Sequence, residues 1–189
     1  MRDDVSALIL AGGKASRLGG VDKSQLVVEG RTIFARQCEV LAPLVHEIVV
    51  SAPHDVVGYR TVRDAVDGAG PLAGIAAGLA AVATPWLVVV AGDMPYISVP
   101  VIERMLRATR EDLDAVGLRI AGRPQPLVAV LHVRARTAVE ARVAGGRYKA
   151  SGLLTDEGLR VAWLDDDDMR AVDPGLRALF NINEPDDLR

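Results

Sequence analysis

The sequence predicts an α/β protein of three layers, α/β/α, around a mostly parallel sheet that turns mixed at one edge. Three observations carry that prediction. Across residues 1–100, short apolar runs of strand character alternate with helical patterns, the encoding of a parallel sheet covered on both faces. One of those runs, WLVVVA at 86–91, is apolar at every position, as a central strand must be. Half of the 189 residues are hydrophobic, and no repeat or Pro-, Gly- or Ser-rich linker divides them, so one domain, 1–189, can bury its own core.

Strands are expected at 5–11 (VSALILA), 47–52 (EIVVSA), 59–64 (YRTVRD) and 86–91. Helices are expected at 32–45, 72–82, 98–109 and 133–143, with Ser98 as an N-cap and Pro100 tolerated in the first turn. From Asp114 the pattern changes. VGLRI and PLVAVLH flank AGRPQ, a Gly/Pro segment suited to connecting two extended strands, which makes the sheet mixed there. A last strand is expected at 160–164, followed by the acidic run 165–168, read as a solvated loop. Residues 145–158 carry no clear period and read as a mobile loop.

Composition excludes several function classes. Net charge is −3 with both signs interspersed, so there is no basic face for a nucleic acid, and a small molecule is the expected partner. The lone Cys38 rules out an intrachain disulfide and reads as a buried thiol in a helix, while His46, His54 and His132 are too scattered for a zinc site. No apolar run approaches the ~20 residues of a membrane span, and the acidic start MRDDVSALILAGG does not resemble a secretory signal. The expected location is the cytoplasm, with no membrane partner.

The chemistry concentrates in four segments. LAGGKASRLGGVDK (10–23) joins a buried strand to a glycine-rich cationic loop: Gly12 and Gly13 offer bare backbone N–H groups, and Arg17 and Lys23 add positive charge, as a phosphate site requires. Its spacing fits neither GxGxxG nor GxxxxGK[ST], which disfavours a dinucleotide dehydrogenase and a Walker-type ATPase. In AGDMP (91–95) a carboxylate, Asp93, follows directly on the most apolar strand, at the edge where open α/β sheets bind ligands. One carboxylate plus nucleotide phosphates is a usual way to hold Mg²⁺, because that ion keeps several of its waters. In 63–79, Gly68, Gly70 and Pro71 turn the chain into a helix of small residues. There Gly74 and Gly78 serve either close packing or the approach of a flat base or phosphate, and Asp64 is placed to accept hydrogen bonds from a base. In FNINEPDDL (180–188), Pro185 starts a helix, while Asn181 and Asn183 alternate in a buried-looking stretch that sets two amides beside the site or ties loops together.

In order and spacing these segments resemble the molybdenum cofactor guanylyltransferases, over the chain from about Val5 onward: LAGG with RLGGVDK, then GPLAGI, GDMP, RPQPL and FNINEPDDL. The resemblance implies a Rossmann-like nucleotidyltransferase fold that uses Mg²⁺ to join GMP from GTP to the phosphate of molybdenum-molybdopterin, releasing pyrophosphate. Transient contact with molybdoenzymes or their chaperones is implied too. By the same resemblance Leu10, Ala11, Gly12, Gly13 and Lys23 contact GTP, and Asp64 contacts the nucleoside. Asp93 binds both Mg²⁺ and GTP, Arg17 holds the leaving pyrophosphate, and Asn181 and Asn183 border the site. Ser51 stands where relatives often carry asparagine, so a hydroxyl replaces part of an amide's bonding there. The segment GGRYKASGLL departs from the family pattern where pterin recognition is expected. Two alternatives remain. A cytidylyltransferase or other small-molecule phosphate nucleotidyltransferase would share the fold, but cytidylyl relatives read LAAG and D-I-D where this chain has Gly12 and the two asparagines. A non-catalytic nucleotide-binding adaptor could dispense with Asp93.

Overall fold

The expected strands assemble into one seven-stranded sheet. The computed structural model describes residues 2–11, 14–15, 21–63, 70–156 and 158–182. In chain order its elements are β1 (Val5–Leu10), β2 (Lys14–Ala15), β3 (Val21–Asp22), β4 (Val27–Val28), β5 (Arg31–Thr32), α1 (Ile33–Leu41), β6 (Ile48–Ser51), β7 (Arg60–Val62), α2 (Pro71–Ala81), β8 (Trp86–Ala91), α3 (Val99–Arg107), β9 (Ala115–Ile120), β10 (Arg123–His132), α4 (Arg136–Ala144), α5 (Leu153–Asp156), β11 (Val161–Leu164) and α6 (Asp166–Arg170). The main sheet has the order β11-β9-β10-β8-β1-β6-β7, and only β10 runs against its neighbours β8 and β9. The pairs β2/β3 and β4/β5 form small antiparallel ribbons outside it.

Alternation along the central strands builds two core layers. Ala7 and Ile9 of β1, with Val88 and Val90 of β8, pack against Leu41 of α1 and Ile102 and Met105 of α3. Leu8, Leu87 and Val89 point the other way, onto Leu72, Ile75 and Leu79 of α2, Val139 of α4 and Leu153 of α5. These are the three expected layers. Every residue of β8 is buried, in keeping with its place in the middle of the sheet. Cys38 is buried as expected; burial pushes its thiol up, and hydrogen bonding to that thiol pushes the Tyr59 phenol up to about 12.

Several boundaries differ for local reasons. Helix α1 starts where Thr32 Oγ1 accepts the Ala35 N–H at 3.1 Å, but it stops at Leu41, because Pro43 cannot donate and restricts the residue before it. Ser98 is the N-cap residue of α3 but makes no side-chain cap bond. In AGRPQ only Ala121 and Gly122 form the turn, both left-handed at φ 48° and 73°, and Arg123 already belongs to β10. Pro124 is accommodated by a register shift between Pro124 and Ala129.

The acidic run is not a solvated loop. Asp165 caps α6 through the N–H groups of Asp167 and Asp168, carboxylates fill its positive end, and Asp168 pairs with Arg104 at 2.5 Å. Nor is 145–158 a free loop: Arg142 donates to Lys149 O at 3.0 Å, and Ala150, Leu153 and Leu154 enter the core. Among the described residues no helix is long and apolar enough to cross a membrane.

Candidate active site

Register brings the carboxyl ends of three strands level, since Leu10 pairs with Ser51 of β6 on one side and Ala91 of β8 on the other. Beyond these ends lies a pocket of ≈ 190 Å³ lined by Leu10, Ala11, Lys23, Ser51, Gly70, Pro71 and Asp93 among others. Glycine makes the approach possible. A Cβ on Gly92 would stand 2.6 Å from Leu10 O, the same carbonyl that accepts the Gly92 N–H at 3.0 Å. A Cβ on Gly74 would meet Ser51 Oγ at 2.5 Å, and one on Gly78 would meet Leu8 Cδ2 at 2.6 Å. Close packing of α2 on the sheet therefore accounts for both helix glycines.

Asp93 is the centre of the polar arrangement. Its Oδ2 accepts from Lys23 Nζ at 3.0 Å, and both side chains are about one-fifth exposed, 20% each. Lys23 also donates to Ile182 O at 2.9 Å, while the Ile182 N–H donates to Asp93 O at 2.9 Å. Three segments remote in sequence are thus closed into one ring of bonds. The second carboxylate oxygen, Oδ1, is buried with no hydrogen-bond partner. A dry acceptor costs ~1–3 kcal/mol, more when charged, so this atom is set for a cation. Among the described residues no group of three His, Cys, Asp or Glu side chains converges to hold a metal. One carboxylate that needs further oxygen ligands from a bound nucleotide fits the hard, water-retaining Mg²⁺.

A fully buried amide on α1 supports the loop that carries Asp93. Gln37 Nε2 donates to Ala91 O at 2.7 Å and to Met94 O at 3.1 Å, the carbonyls on either side of Gly92–Asp93, and Oε1 has no partner. Both partners can only accept, so the amide nitrogen must face them, and the orphaned oxygen follows from that orientation.

Of the residues singled out from the sequence, Leu10, Ala11, Lys23, Ser51 and Asp93 line this one pocket. Gly12, Gly13, Arg17, Asp64 and Asn183 lie outside the described residues. Asn181 corrects the buried reading of its stretch: it is exposed, and the residue beside it, Ile182, is buried at 0%. Apolar Ile182 takes the inward position after exposed Phe180 and Asn181, and the polar work falls to its backbone. Gln37 and Ile182 were not anticipated. The signal for Gln37 was present, because it stands four residues from both Ile33 and Leu41, on the face that α1 buries.

Residues 7–160 match the family model described as the MobA-like NTP transferase domain. A molybdenum cofactor guanylyltransferase of Cupriavidus taiwanensis is 31% identical, covering 100% of this chain and 96% of that protein. One of Pseudomonas putida is 34% identical, covering 100% and 97%. The crystal structure of molybdopterin-guanine dinucleotide biosynthesis protein A from Archaeoglobus fulgidus superimposes with a TM-score of 0.83 at 26% identity, covering 97% of this chain and 94% of that one. A 2-C-methyl-D-erythritol 4-phosphate cytidylyltransferase from Thermus thermophilus shares the fold, with a TM-score of 0.72 at 23% identity.

Proposed function

Because the chain belongs to the MobA-like NTP transferase family, we propose that it acts over 1–189 as a molybdenum cofactor guanylyltransferase. It transfers GMP from GTP to the phosphate of molybdenum-molybdopterin, forming molybdopterin guanine dinucleotide and releasing pyrophosphate. The observation that carries this reading is the buried, unpartnered Asp93 Oδ1 beside Lys23 at the carboxyl end of the central strand. An open carboxylate oxygen beside a lysine suits a metal-assisted transfer of a phosphate group.

The residues divide the work as follows. Leu10, Ala11, Gly12, Gly13 and Ser51 border the nucleotide, with Asp64 toward the nucleoside and Asn181 and Asn183 at the rim. Asp93 would hold Mg²⁺ together with the nucleotide phosphates. When bound, the ion supplies neutralisation of the charge that develops on the leaving pyrophosphate. A phosphate oxygen of the acceptor attacks the α-phosphorus in line, so no side-chain nucleophile is needed, and catalysis is positioning plus electrostatics. Lys23 supplies fixed positive charge there, oriented by Asp93 and Ile182 O. Arg17 takes the leaving pyrophosphate. The reading includes the cytoplasm as compartment and transient contact with molybdoenzymes or their chaperones as the route of delivery.

The test is pyrophosphate release with molybdopterin carrying molybdenum, Mg²⁺ and either GTP or CTP. Release with GTP, accompanied by guanine dinucleotide, is expected. A clear preference for CTP would replace the reading with a cytidylyltransferase, and no release with any nucleotide would leave an adaptor.

A further inference from the structure

We infer that a second cleft, beside Tyr96 and Phe180, receives the pterin ring of the acceptor; the assignment rests on the guanylyltransferase reading. The cleft measures ≈ 690 Å³, within the range of about 300–1,000 Å³ where small-molecule sites fall. It shares no lining residue with the pocket at Asp93, yet three tethers set the two side by side. The loop after β8 lines one with Asp93 and the other with Tyr96. Strand β10 lines one with Leu127 and the other with Gln125, positions about 7 Å apart along an extended chain. Phe180 lies two residues before Ile182, whose carbonyl holds Lys23.

The chemistry of the walls suits a flat, hydrogen-bonding heterocycle. Phe180 is 41% exposed, unusual for a large apolar ring, and its centroid is 6.2 Å from that of Tyr96 at a tilt of 44°. The Arg177 guanidinium lies 3.9 Å from the Tyr96 ring centre and bonds Glu29 at 2.8 Å, so this wall is pre-organised. Gln125, also in the lining, brings both a donor and an acceptor. In-line displacement requires a separate place for the acceptor. The attacking oxygen must approach the α-phosphorus opposite the oxygen that leaves with pyrophosphate. With the nucleotide in the pocket that Lys23 and Ser51 line, the neighbouring cleft is left for the acceptor. The described residues of 145–158 line neither cleft.

The assignment is tested with Phe180→Ala, Phe180→Tyr and Gln125→Leu in the full chain. Binding of the fluorescent probe 6-hydroxymethylpterin, binding of GTP, and transfer to molybdopterin are measured on each. Loss of one stacking partner is expected to raise the probe Kd and the KM for molybdopterin by about 10-fold in Phe180→Ala. The GTP Kd stays at the wild-type value, and Phe180→Tyr retains acceptor binding. Gln125→Leu raises the same two acceptor constants. A weakened GTP Kd with an unchanged acceptor KM would put guanine in this cleft and overturn the assignment, as would no change in any constant. If the wild-type protein makes no guanine dinucleotide, the guanylyltransferase reading fails by itself, and the probe decides the cleft. Saturable binding that Phe180→Ala weakens retains a pterin site, and absence of binding removes it.

Discussion

Gln37→Met separates a positioning role from a structural one. Methionine keeps the length and volume of the side chain but donates nothing, so it deletes the bonds to Ala91 O and Met94 O, at 2.7 and 3.1 Å, without opening a cavity. Two such bonds are worth about 2 kcal/mol together. The same change removes the buried, unpartnered Oε1, whose burial costs ~1–3 kcal/mol. The contributions oppose one another and nearly cancel. With about 2–4 °C of Tm per kcal/mol in a chain of this size, the variant should melt within about 4 °C of wild type. Activity should not be spared. The two carbonyls bracket Gly92–Asp93, and a displacement approaching 1 Å at a reacting centre costs up to about 10²-fold, so kcat should fall roughly 10-fold or more. Thermal melts and steady-state GTP turnover, with KM and kcat separated, provide the measurement. Wild-type kcat in a folded Gln37→Met protein would refute the claim that this amide sets the Asp93 loop.

Lys23→Ala should lower turnover by about 10²–10³-fold while the protein stays folded, because it removes a preorganised charge and strips Asp93 Oδ2 of its 3.0 Å partner; near-normal GTP turnover would contradict that role. Gly74→Ala should destabilise by ~1–3 kcal/mol, since its Cβ would meet Ser51 Oγ at 2.5 Å, and Ser51→Ala in the same chain should recover part of the loss in Tm. Asp114 should make stability depend on pH at the acid end. The Arg160 backbone N–H, followed by the Arg160 and Arg134 side chains, outweighs burial and holds its carboxyl below the usual 3.8. A depressed folded value means stability fully present above 3.8 and lost as pH falls through the lower folded value, so Asp114→Asn should flatten that part of a pH–Tm profile.

What could be read from the letters and what could not follows from the range of the interaction involved. WLVVVA announces a central strand because a strand buried on both faces must be apolar at every position, a constraint satisfied locally. The carboxylate after it was legible as a site residue because a charge at that edge has no packing use. The Lys23–Asp93 pair spans 70 positions, and no local pattern specifies a bond of that separation. The same limit hid Ile182, whose side chain only fills space while its carbonyl and N–H join Lys23 to Asp93. The acidic run 165–168 misled because solubility and helix capping call for the same residues, and the cap at Asp165 is joined by bonds from Arg104 and the Ala121 N–H, 64 and 45 positions away, that no local pattern specifies. Gln37 is the opposite case. A polar side chain at a buried helical position conflicts with the pattern around it, and such conflicts are where function overrides packing. The heptapeptide IFARQCE therefore carried a pointer to the active site that the glycine-rich motifs did not. They indicate where phosphate can approach, whereas the misplaced amide indicates which loop must not move.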